Sequence, residues 1–242
     1  MSATSSDMSL LRIIESFNRK ERYILFQQVT TSREIQLDEE FRSKLNILGW
    51  DVPKRGVLVL TDYHLNWLYA SLEWAGATWG PDTEAKPLSS VPSVEVKAGT
   101  PGAVETRRAL EHNQEDIDLL LVWEGDGITH LGLIEAKAHS GWTNSQMASK
   151  AARLTTVLGE DACRYPRVRP HFALLSFTEP QHLITKDWPG WMLDTAGNVP
   201  HIALKPPQTD RYMVGRVDSS GTSSASGDYY GVRLAMKGSG SP

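Results

Sequence analysis

The chain has 242 residues, 40% hydrophobic and 22% charged, a balance that suits a globular protein with one large domain and an appended piece. No apolar run approaches the roughly 20 residues that span a bilayer, and the single cysteine, Cys163, excludes an internal disulfide and a cysteine zinc cluster. The net charge of −4 excludes a protein that coats nucleic acid by bulk attraction, while a local basic patch stays open.

From Met8 to about Val29, apolar residues at Leu11, Ile14 and Phe17 recur at helical spacing, predicting one long helix or two short ones. The opening stretch carries no basic residues ahead of its apolar run. The expectation is therefore no signal peptide and a cytoplasmic protein. Leu37–Trp50 predicts a second helix with acids in its first turn. Val57–Leu60 is a short strand or an apolar lead into the next helix, for which Asp62 is the expected N-cap, over Tyr63–Gly76. On that helix Asp62, Asn66, Tyr69 and Glu73 fall along one polar face. Ser89–Gly99 alternates like a strand, and Ala103–Gln114 reads as a charged helix or turn.

The most informative stretch is Asp116–Trp142, DIDLLLVWEGDGITHLGLIEAKAHSGW. Asp126-Gly127 is the signature of a two-residue type I′ hairpin. With that turn, Asp118 faces Glu135 and Asp116 faces Lys137, all four on one face of the sheet. Leu120 and Leu133 lie behind them, while Leu119 opposes Ile134 and Ile117 opposes Ala136 on the other face. Both faces are apolar in the middle, as in a central sheet covered on both sides. Opposed side chains have Cβ atoms about 4.5–5.5 Å apart, so two carboxylates there repel unless a cation lies between them. A hard divalent ion with oxygen ligands resolves that conflict. A helix over Asn144–Glu160, a strand over Arg169–Phe177 and short strands near Ile202, Tyr212–Val217 and Tyr229–Leu234 follow. The serine-rich run Ser219–Gly227 predicts a loop, and the tail KGSGSP predicts disorder.

Asp118 followed by Glu135-Ala136-Lys137 at the end of the next strand resembles the PD-(D/E)XK nuclease superfamily, the restriction-endonuclease-like fold. The resemblance covers roughly Asp62–Phe177 and departs from the name-giving pattern in having Ile117 where that pattern has proline. An acid-x-Lys triplet arises about once by chance at this composition, and Glu95-Val96-Lys97 is such a match. It lacks the opposing aspartate and the turn that set Glu135-Ala136-Lys137 apart. The resemblance implies an α/β fold with a central mixed sheet flanked by helices. Its αβββαβ core would span 59–185, after an N-terminal helical segment (1–58) and before a β-rich extension (186–236) and a disordered tail (237–242).

It also implies an enzyme, a Mg²⁺- or Mn²⁺-dependent nuclease acting on DNA in defence, repair or mobile-element biology. Asp118, Glu135 and the Ala136 carbonyl would hold the ion. Glu73 would be an additional acid, and Gln146 and Lys150 would contact the DNA backbone. Two carboxylates beside Lys137 favour its charged form, which suits it to position water and neutralise developing charge. Nucleic acid is the expected partner, with a homodimer or a protein partner left open. The alternative is an inactive nuclease-fold module that binds nucleic acid or a protein, or a buried salt-bridge cluster.

Other residues have bland readings beside the functional ones. Arg164, Arg167 and Arg169 form the densest basic cluster, fit for phosphates or for a solvated loop. His139 continues the Glu135 face, and Trp142 reads as packing. No nucleophile elbow, phosphate-binding loop, dinucleotide fingerprint or zinc spacing occurs in the sequence.

Overall fold

The computed structural model describes residues 9–17, 36–75, 91, 93–97, 104–111, 115–138, 141–206 and 212–234. The second half of the first expected helix, parts of Ser89–Gly99 and Ala103–Gln114, His139 and the C-terminal tail lie outside them. The chain divides into two compact units, one ending at Leu204 and one beginning at Lys205.

In the first unit, α1 (Leu10–Phe17) and α2 (Glu39–Ile47) precede β1 (Leu58–His64), which runs directly into α3 (Leu65–Ala75). A two-stranded ribbon follows, β2 (Ser93–Lys97) and β3 (Val104–Arg108), and then the hairpin β4 (Asp116–Gly125) and β5 (Ile128–Lys137). Helix α4 (Asn144–Leu158), β6 (Val168–Ser176) and the short β7 (His201–Ala203) complete it. The central sheet has the order β1-β4-β5-β6-β7. Its β1/β4 and β4/β5 pairs are antiparallel, and β5/β6 and β6/β7 are parallel. The fold is therefore α/β, with a five-stranded mixed sheet flanked by helices. Among the described residues no helix is long and apolar enough to cross a membrane.

Local chemistry explains the helix ends. Asp38 caps α2 by accepting the N–H groups of Glu40 at 2.9 Å and Phe41 at 3.1 Å. Thr143 caps α4 through the Gln146 N–H at 3.2 Å, and Gly159, at φ 94°, ends it. The sheet is covered on both faces. Leu60, Leu120, Leu133 and Phe172 pack with α1, α3 and α4 on one side. Val59, Leu121, Ile134 and Ala173 pack with Leu45 of α2 and Trp50 on the other. Lys44 of α2 also donates to the Ala203 carbonyl of β7 at 2.7 Å.

Three local expectations are corrected. The strand at Val57–Leu60 continues through His64, so Asp62 lies inside β1 and caps nothing. The cap is made by His64, whose Nδ1 accepts the Asn66 N–H at 3.0 Å. Val104–Arg108, expected as a helix or turn, is a strand paired with Ser93–Lys97, because a hairpin partner supplies its backbone bonds. Half of the supposed polar face of α3 is turned inward. Tyr69 is buried, and Asn66 accepts from the Arg153 guanidinium at 2.5 Å while donating to the Glu111 carbonyl at 2.7 Å.

The second unit holds β8 (Tyr212–Val217) and β9 (Tyr229–Leu234), an antiparallel ribbon joined through the serine-rich loop. Asp218 organises that loop by accepting the N–H groups of Ser220 at 2.9 Å and Thr222 at 3.0 Å.

Candidate active site

The hairpin has the expected turn and register. Asp126 and Gly127 carry φ values of 50° and 74°, the left-handed conformation that a type I′ turn requires at both positions. Pairing runs from Gly125–Ile128 down to Leu119–Ile134, and there it stops. Beyond that point β4 pairs only with β1, through Ile117–Tyr63 and Asp116–His64. β5 pairs only with β6, through Glu135–Leu174, Ala136–Leu175 and Lys137–Ser176. The ladder thus ends one step short of the Asp118–Glu135 position. The expected oppositions Ile117–Ala136 and Asp116–Lys137 do not form.

Polar side chains fill the gap. The Ala136 N–H, which a continued ladder would have paired with a β4 carbonyl, donates to Asp118 Oδ2 at 2.8 Å. Lys150 reaches across from α4. Its ammonium lies 3.1 Å from Glu135 Oε1 on β5 and donates to the Asp116 carbonyl on β4. Glu135 is 2% exposed and Lys150 is 6% exposed, so this ion pair is internal. The Lys150 ammonium is the cation beside Oε1. Burial pushes the Glu135 carboxyl up to about 7. The Lys150 ammonium opposes that rise and the Asp118 carboxylate adds to it.

A backbone irregularity on β1 belongs to the same region. Asp62 has φ 49°, unusual for a residue with a side chain, and sits between the pairs Thr61–Leu119 and Tyr63–Ile117, level with Asp118. It breaks the alternation of the strand. Leu60 and Tyr63, three residues apart, both enter the core under α1 and α3, and Ile117 joins them there. Leu119 packs on the opposite face.

The structure brings Asp118, Glu135, Lys137 and Lys150 to one end of the sheet, with Lys137 half-buried at the end of β5. Gln146 is exposed on the first turn of α4, one turn before Lys150. Lys150 is corrected from a surface position to a buried one, because it falls on the stripe of α4 that also buries Met147, Ala151 and Leu154. Glu73 is not brought to the site. It accepts from the Tyr165 hydroxyl at 2.6 Å and pairs with Arg164 at 3.5 Å. Those partners lead into the start of β6, where Val168 pairs with Thr129. Thr129 lies six residues before Glu135, roughly 20 Å along the strand. The helix runs away from the site because it starts only after β1 has ended.

Arg164 is also committed internally. It donates to the Thr156 carbonyl at 2.9 Å near the end of α4 and lies over the Tyr69 and Tyr165 rings. Trp142 packs against the α4-side core. Lys150, expected at the surface, is instead a buried member of the site. The only signal of its burial was its place three residues after Met147 on the apolar stripe. No family model, curated protein or solved structure matches this chain.

The donor set can be tested against a divalent cation. It consists of oxygens only, which suits Mg²⁺ or Mn²⁺, and one of its carboxylates, Glu135, is buried. Among the described residues no three His, Cys, Asp or Glu side chains converge. Mg²⁺ commonly needs only one or two carboxylates, taking waters and substrate phosphates as its other ligands. The residues present fit the ion.

Proposed function

We propose that the chain is a metal-dependent nuclease of the PD-(D/E)XK type that hydrolyses phosphodiester bonds in DNA, with the open end of the β4–β5 hairpin as its active site. The observation that carries this reading is the ending of the ladder at Leu119–Ile134, which leaves two carboxylates and an ammonium at the gap between two central strands. A sheet interior gains nothing from interrupted pairing and buried charge, so such a gap is expected where chemistry requires it.

Asp118 and Glu135 would hold Mg²⁺, with the Ala136 carbonyl as a further oxygen. A cation so held supplies Lewis acidity and a more acidic bound water. The Ala136 N–H fixes one oxygen of Asp118 and orients that carboxylate. Lys137, at the half-buried end of β5, is placed to position water and to meet negative charge developing on the phosphate. Gln146, exposed on the first turn of α4, is placed to contact the DNA backbone. Asp62 replaces Glu73 as the candidate additional acid, since the backbone sets it level with Asp118.

The test incubates purified protein with plasmid, linear and branched DNA, in Mg²⁺ or in EDTA. Cleavage that needs Mg²⁺ and is lost in Asp118→Ala and Glu135→Ala supports the reading. Cleavage that survives either substitution sinks the site. One observation favours a second reading, a module that binds nucleic acid without cutting it: Lys150 already supplies Glu135 with a cation. DNA binding with no cleavage of any substrate, and no Mg²⁺ uptake by calorimetry, would favour that alternative.

A further inference from the structure

We propose that Lys150 of α4, rather than Lys137 of the strand motif, is the lysine that positions Glu135 for the cleavage proposed above. The role rests on that nuclease reading. Lys150 reaches both strands of the gap from α4, through the Asp116 carbonyl on β4 and the Glu135 carboxylate on β5. Lys137 continues along β5 and pairs with Ser176 of β6.

Stability alone is a poor explanation for this arrangement. Replacing a buried ion pair by apolar side chains of similar size is often neutral or stabilising. Lys150 sits among Met147, Ala151 and Leu154, where a methionine or leucine would pack without desolvating a charge. At 6% exposure it is also closed to a DNA phosphate. Lys150 therefore acts through Glu135. It fixes the carboxylate beside Asp118 and ties together two strands whose backbone ladder has ended.

This gives a kinetic signature that separates positioning from substrate contact. A residue that binds substrate and transition state alike raises KM when removed, whereas one needed for the reacting geometry lowers kcat. The experiment measures kcat and KM on a DNA substrate for the full chain and for Lys150→Met, Lys150→Gln, Lys150→Arg and Lys137→Met. Amide hydrogen exchange at Ala136 is the second readout. We expect Lys150→Met to lower kcat about 100-fold with KM nearly unchanged, the size typical of losing one preorganised electrostatic group. Lys150→Arg should recover about tenfold of that, and Lys137→Met should lower kcat by less than Lys150→Met. Exchange at Ala136 should quicken about tenfold in Lys150→Met as the gap loosens.

If Lys150→Met does not fold, Lys150→Gln, which keeps a hydrogen-bond donor but no charge, takes its place. Unchanged kcat in either folded variant, or a loss confined to KM, overturns the assignment. So does a loss larger in Lys137→Met than in Lys150→Met. Wild-type protein that cleaves nothing and binds no Mg²⁺ sinks the nuclease reading and this role with it. Wild-type cleavage matched by Lys150→Met sinks this role alone.

Discussion

The two ends of the β4–β5 hairpin are built on opposite principles. At the turn end, pairing is complete and Trp123, His130 and His171 stack with ring centroids 5.0–5.5 Å apart, with His130 Nδ1 3.0 Å from His171 Nε2. Trp50 lies so close to the strands that a Cβ at Gly132 would meet its ring at 2.8 Å. At the far end, pairing stops and two carboxylates and an ammonium take the place of the ladder. A rigid closed end lets an open end hold a geometry that its own contacts would not enforce. The ends also titrate with opposite signs, though burial is the main cause at both.

The largest effect should come from the open end. Glu135→Gln and Asp118→Asn should each reduce Mg²⁺-dependent cleavage by at least about 100-fold. Both variants should stay folded, Glu135→Gln with a lowered melting temperature because the buried Lys150 ammonium loses its anionic partner. A melting temperature that collapses along with activity would turn the open end into a structural salt bridge.

The pH response is the next sharpest contrast. Burial first, then His130 and Arg169, holds the His171 imidazole down to about 4. The unfolded chain therefore binds more protons than the folded one between about 6.5 and about 4, and stability falls as pH drops through that window. The loss is on the order of 2–3 kcal/mol, and His171→Phe should remove it. The Glu135 carboxyl, raised to about 7, works the other way. Here the folded state binds more protons above about 4.5, so stability falls as pH rises from about 4.5 to about 7, and Glu135→Gln should flatten that slope. Denaturant melts across pH 4–8 check both, and slopes of the same sign would erase the contrast.

Gly132→Ala tests the closed end directly. The added methyl would also lie 3.2 Å from Leu121 Cβ, so about 1–3 kcal/mol of stability should be lost, with cleavage per folded molecule kept. The smallest effect belongs to Glu73→Ala, which removes the acceptor of the Tyr165 hydroxyl. It should cost about 1 kcal/mol in a denaturant melt and leave cleavage unchanged. A large activity loss there would return Glu73 to the site.

The hairpin register was legible because it is local: two turn residues with positive φ fix every pair up to Leu119–Ile134. The end of that ladder was not legible, since it depends on β1 and β6 drawing the two strands apart. Asp62 looked like a cap because it precedes a helical pattern. The pairing of Tyr63 with Ile117 extends the strand past it, and residues more than fifty positions away decide that. Lys150 read as a surface lysine because its partners, Asp116 and Glu135, come from other elements. Arg153, buried nearby, shows the same limit: its partners are Asn66 and the Arg108 carbonyl. Charge on an apolar stripe could have been read as a sign of an internal partner, and only the fold says which.

The central claim, that the open end of the hairpin is a cation site serving phosphodiester hydrolysis, is tested most directly at the Ala136 amide. Its N–H donates to Asp118 and it follows Glu135 in the chain, so its NMR resonance reports on the gap itself. Titration with Mg²⁺ should shift that resonance saturably in the wild type and leave it unmoved in Asp118→Asn. A wild-type Ala136 resonance indifferent to Mg²⁺ would contradict the claim.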